Sequence, residues 1–101
     1  MAATPAKLYR GTATTTLTTA YTAPSATTAI LTNLIVSNTT SSAATVSIQV
    51  DGFYLMKQSP VPPNGMLALD LSQVIPPSST IKVQASVATA VDVHASGVEV
   101  T

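Results

Sequence analysis

Residues 44–52 read Ala44-Thr-Val-Ser-Ile-Gln-Val-Asp-Gly52, and their alternation decides the fold. Val46, Ile48 and Val50 fall on one side and Ser47, Gln49 and Asp51 on the other, the period of a strand with one buried and one wet face. The Asp51-Gly52 pair that ends the stretch is a hairpin signal, because both central positions of a type I′ turn need positive φ. Phe53 then opens the returning strand.

The same period recurs on both sides. Leu67, Leu69 and Leu71 alternate with Ala68, Asp70 and Ser72, and Ile81, Val83, Ala85 and Val87 alternate with Lys82, Gln84 and Ser86. Val91, Val93 and Ala95 alternate with Asp92, His94 and Ser96; after Gly97 the apolar set moves to Val98 and Val100, which predicts a β-bulge at Gly97. Residues 29–36 put Ile30, Leu31, Leu34, Ile35 and Val36 on both faces and read as a central strand. The Thr-rich stretch 12–22, with Leu17 and Tyr21, is β-prone through its branched side chains, yet its weak pattern leaves its register open. Turn formers separate the runs at Pro24-Ser25, at 38–42, at Pro60 and Pro62-Pro63-Asn64-Gly65, and at Pro76-Pro77-Ser78-Ser79. No window carries the spacing of an amphipathic helix. An all-β chain follows: one antiparallel β-sandwich or small jelly roll of about six to eight strands over residues 1–101. Residues 1–7 are expected to form an extended, Ala-rich N-terminal arm that docks on a neighbour.

Composition narrows the function classes. The chain holds 4 Lys and Arg, 4 Asp and Glu, one His and no Cys or Trp, with zero formal net charge. Charged residues make up 8% of it, against about 25% in ordinary soluble domains, so little self-repulsion keeps copies apart and self-association is expected. Zero Cys removes disulfides and thiolate sites. Neutrality disfavours nucleic acid and anionic membranes as partners. Residues 1–7 lack the features of a signal peptide, and no run approaches the roughly 18 apolar residues of a membrane span, so synthesis in a cytoplasm is expected.

Few residues can carry chemistry. Asp92, His94 and Ser96 are the residue types of a hydrolase triad, but same-face neighbours on one strand stand roughly 6 to 7 Å apart, too far for proton transfer. No enzyme is expected, no catalytic residue is assigned, and one His without a second nearby carboxylate makes no metal site. The four glycines are too dispersed for a phosphate loop, and no cofactor is expected. Partner binding has better candidates. Phe53 and Tyr54, just past the hairpin turn, form either an exposed binding tip or one core and one rim residue. Pro62 and Pro63 stiffen a loop that is a subunit contact or simply a turn. Lys7 and Arg10 flank Tyr9, as an ionic or stacking anchor or as solvated residues.

The segments Ala29-Ile-Leu-Thr-Asn-Leu-Ile-Val-Ser-Asn38, Ala44 to Gly52, Leu67-Ala-Leu-Asp-Leu71 and Val93-His-Ala-Ser-Gly-Val-Glu-Val100 resemble those of small phage virion proteins. These are capsid decoration (cement) proteins and tail or fibre accessory domains. The resemblance implies attachment to a virion, to the major capsid protein or other virion subunits, as a homotrimer or another symmetric oligomer. It supplies no catalytic residues. A tail-fibre or receptor-binding module that recognises host glycans through Phe53 and Tyr54 is the alternative.

Overall fold

The computed structural model describes residues 3–101. Among them are eight strands and no helix: β1 (Ala3–Thr12), β2 (Thr18–Thr22), β3 (Thr28–Asn38), β4 (Ala44–Val50), β5 (Phe53–Val61), β6 (Met66–Ile75), β7 (Thr80–Ala85) and β8 (Val91–Val100). They form two four-stranded antiparallel sheets, ordered β1-β8-β3-β6 and β2-β7-β4-β5. Within these orders β1 pairs with β8, β2 with β7, β3 with β6 and β4 with β5. The chain is therefore one long antiparallel ribbon that doubles back at the β4–β5 turn and is wound so that β8 meets β3 and β7 meets β4. Asp51 and Gly52 make that turn with φ of 54° and 81°, the type I′ signature expected of Asp-Gly.

Alternation places the core. Leu31, Leu34 and Val36 of β3, Val46 and Ile48 of β4, Ile81 and Val83 of β7, and Val91, Val93 and Ala95 of β8 are buried in a single cluster drawn from both sheets. Three connections between sheets share one device. Thr27 N donates to Pro24 O, Gly65 N to Pro62 O and Ser79 N to Pro76 O at 2.9–3.1 Å, with positive φ at Ala26, Asn64 and Ser78. Positive φ at the third position is the type II pattern, and Pro at the second position of two of these turns presets φ there.

Three expectations are corrected. Gly97 carries no bulge. The alternation of β8 runs on through it, leaving Gly97 buried and Val98 and Val100 on the outer face; the extra residues are Leu8 on β1 and Thr32 on β3. Gly97 is needed for close approach, since a Cβ there would fall on the Ile30 carbonyl oxygen and 3.1 Å from Leu8 Cδ1. Thr32 also explains residues 29–36: the extra residue resets the phase, so Leu31 and Leu34 both point inward while Ile30 and Ile35 sit half-buried on the outer face. Val87 lies outside any strand and is exposed, because β7 stops at Ala85 and the chain turns through Thr89, where φ is 60°. Within the expected arm, residues 3–7 are the first half of β1 and pair with Val100 to Ser96; Met1 and Ala2 lie outside the described residues.

A part-buried polar bond joins β2 of one sheet to β8 of the other. Tyr21 Oη, on β2, donates to Glu99 Oε2, on β8, at 2.6 Å. Burial, then the hydrogen bond and the negative charge of Glu99, push the phenol well above its usual range. A group whose pKa is raised by folding contributes stability that is complete below the unfolded value, near 10, and is lost as pH rises beyond it. Thermal melts of the native chain should fall from about pH 10 upward more steeply than those of Tyr21→Phe. Parallel curves would remove the sheet-to-sheet role of this bond.

Candidate functional site

Strand register assembles the outer face of the β1-β8-β3-β6 sheet row by row. Pro5, Val98, Ile30 and Val74 stand opposite one another across all four strands and make a continuous apolar band. The next rows are Lys7, Ser96, Asn33, Asp70, and then Arg10, His94, Ile35, Ala68. Cations thus sit at the β1 edge and one carboxylate at the β6 edge, with neutral residues between. Asp92 accepts from Thr12 Oγ1 at 2.7 Å. Among the described residues no hydrogen bond links Asp92, His94 and Ser96, which are spaced along one strand as alternation requires, so the triad geometry does not form. Among the described residues no group of three or more His, Cys, Asp or Glu side chains is placed to hold a metal ion.

The opposite sheet carries a polar hollow of about 130 Å³ on its outer face, lined among others by Thr45, Ser47, Tyr54, Lys57, Gln58 and Ser86. It exists because β5 slips register against β4 twice and Gln58 adopts φ 50°, which lifts the edge strand from a regular ladder. Ser47 Oγ accepts from Gln58 N at 2.9 Å and Ser86 Oγ accepts from Thr45 N at 2.8 Å, which leaves both hydroxyl protons for a guest. Lys57 Nζ stands 5.3 Å from the Tyr54 ring centroid, a cation–π contact. Small-molecule sites usually measure about 300–1,000 Å³, so this hollow suits the edge of a larger polar molecule and not a cofactor.

The residues read from sequence as partner-binding do not converge. Lys7 and Arg10 are exposed on the outer face of β1, whereas Tyr9 is half-buried against the core and covers Gly11, which splits the proposed anchor across two faces. Phe53 pairs with Val50 at the end of the sheet and is 77% exposed, while Tyr54 pairs with Gln49 on the outer face and walls the hollow. Neither fills the core, and they face opposite ways. Pro62 and Pro63 are exposed at the far end of β5, in the connection to β6. Sequence reading missed Ser47, Lys57, Gln58 and Ser86, which come together only through the irregular β4–β5 register. Compared with known proteins, the chain matches no family model, no curated protein and no solved structure.

Proposed function

We propose that this chain is a non-enzymatic structural subunit of a bacteriophage virion, a capsid decoration protein that acts as a homo-oligomer, and that its two sheets are the halves of a small jelly-roll sandwich. The ribbon pairing of β1 with β8, β2 with β7, β3 with β6 and β4 with β5 is what a rolled-up hairpin gives. Eight-stranded double-sheet rolls recur in viral capsid and lectin domains. That likeness is an analogy of architecture, so the reading rests on the surface.

The observation that carries it is the outer face of the β1-β8-β3-β6 sheet, where an apolar band crosses four strands and the charges of the rows beside it stand only on the two edge strands. Such a face suits a broad contact formed by area and shape, with charge contributing little. The chain should be present in purified virions and should rebind particles assembled without it. Its absence from virions, with no rebinding, would end the reading.

The polar hollow beside Tyr54 favours the second reading, a glycan-recognition module. Tyr54→Ala separates the two: particle binding unchanged supports decoration, and loss of binding to host-surface glycans supports recognition.

A further inference from the structure

The hollow on the outer face of the β2-β7-β4-β5 sheet is built from donors. Lys57 and Gln58 of β5 stand together opposite the single Ser47 of β4, because Val46 pairs with Ser59 and Ile48 with Met56. This bulge gives the Gln58 N–H to Ser47 Oγ at 2.9 Å. Ser47 is only 6% exposed, so its remaining hydroxyl proton is fixed deep in the hollow. Ser86 Oγ, which accepts from Thr45 N, has a proton to give in the same way. Among the described residues no carboxylate lines the hollow, and Lys57 supplies its one charge. The Tyr54 ring, 5.3 Å from Lys57 Nζ, ties that long cation to the rim.

Donors and a cation call for a guest that brings acceptors and negative charge. Shape narrows the guest. At about 130 Å³ the hollow admits the edge of a ring and not a whole small molecule of the usual size. Tyr54 stands half-exposed beside the donors and offers an aromatic face for the C–H side of a sugar. A peptide fits less well. Extended peptides bind a sheet edge through main-chain hydrogen bonds, and β5 denies them with two register breaks and φ 50° at Gln58.

We infer that the hollow is a subsite for an acidic sugar, a uronic acid unit of a surface polysaccharide. Lys57 and the hydroxyl protons of Ser47 and Ser86 receive the carboxylate and a neighbouring ring hydroxyl, and the ring edge rests on Tyr54. The inference rests on the glycan reading of this hollow given above and names the sugar. It is compatible with decoration, since the hollow and the apolar band lie on the outer faces of opposite sheets. A chain seated by the band turns the hollow to solvent.

Amide chemical-shift titrations of the full chain with sodium glucuronate, glucuronamide, glucose and sodium acetate test it. Glucuronate should move the amides of Ser47, Lys57, Gln58 and Ser86 and saturate with Kd on the order of 1 mM, the strength of one small subsite. Glucuronamide keeps the shape without the charge and acetate the charge without the ring, and each should bind about tenfold more weakly or worse. Lys57→Gln, at an exposed position, should bring glucuronate down to the level of glucuronamide and leave glucuronamide within about twofold. Raising NaCl from about 0.05 to about 0.5 M should weaken glucuronate several-fold. Glucose or glucuronamide binding as tightly as glucuronate, or Lys57→Gln without effect, would overturn the acidic sugar and leave the glycan reading standing. Acetate as tight as glucuronate would leave a bare anion site, and a glutamate-rich peptide bound more tightly than glucuronate would assign the hollow to a protein partner; either overturns the inference. No shift with any of the three sugars up to about 50 mM would overturn both the inference and the glycan reading.

Discussion

Replacing Gly97 by alanine is expected to lower folding stability by about 3 kcal/mol and the melting temperature by about 12–20 °C, the largest effect of any single methyl group in this chain. β8 runs through the middle of its sheet with β1 on one side and β3 on the other, and each neighbour inserts an extra residue close to Gly97. The backbone of β3 is drawn in until a Cβ at 97 would fall on the Ile30 carbonyl oxygen, with Leu8 Cδ1 at 3.1 Å on the other side. A side-chain end can move aside. A carbonyl held within a four-stranded sheet cannot do so without breaking its ladder, so the strain reaches both register breaks at once. Gly52 is the control: it has φ 81° and nothing within 4 Å of its missing Cβ, so Gly52→Ala should cost only about 1 kcal/mol of backbone strain. Thermal and urea unfolding measure both. Equal losses at the two glycines would refute the close-approach account of Gly97.

Asn38 is the second sensitive point, and Asn38→Asp is expected to cost about 3–4 kcal/mol at neutral pH. The side chain is buried at the end of β3 and makes four hydrogen bonds: Nδ2 donates to Ser42 O at 2.8 Å and to Val61 O at 3.1 Å, and Oδ1 accepts from Thr40 N at 2.9 Å and Thr40 Oγ1 at 2.7 Å. It fastens the 39–43 loop to the end of β5, and its backbone N–H bonds to Gly65 O beyond the next turn. A carboxylate keeps the acceptor half and turns two donors into an anion facing two carbonyl oxygens. Burial and those oxygens would raise the pKa of the new group above its unfolded value near 3.9, so the penalty should be present above that pH and shrink as the acid protonates below it. Denaturant melts at about pH 7 and about pH 3 should therefore show the variant closing on the native chain in acid. A constant difference between the two pH values would show that lost packing, not the buried charge, sets the penalty.

These two positions also mark how far the sequence could be read. Alternation at Val46, Ile48 and Val50, at Leu67 to Leu71 and at Val91 to Ala95 identified the inward faces, and Asp51-Gly52 the one tight hairpin, because each signal is local and each residue acts through its own backbone. Gly97 misled because a phase change in sequence looks the same whether the extra residue sits on the strand itself or on its partners. Asn38 read as a turn former; its role as a hub depends on Val61, 23 residues away. The polar hollow depends on how β5 slips against β4, a relation between two strands that neither shows alone. Phe53 and Tyr54 read as either an exposed tip or one core and one rim residue; that both are exposed and lie on opposite faces came from the pairing with Val50 and Gln49.

The neutrality of the surface offers the most direct test of the proposed role. The measurement is the affinity of the purified chain for particles assembled without it, followed from about 0.05 to about 1 M NaCl, where screening shortens from tens of ångströms to a few. Contact through an apolar band should leave Kd within about threefold across that range. A fall in affinity of tenfold or more with salt, or no binding at any salt, would contradict it.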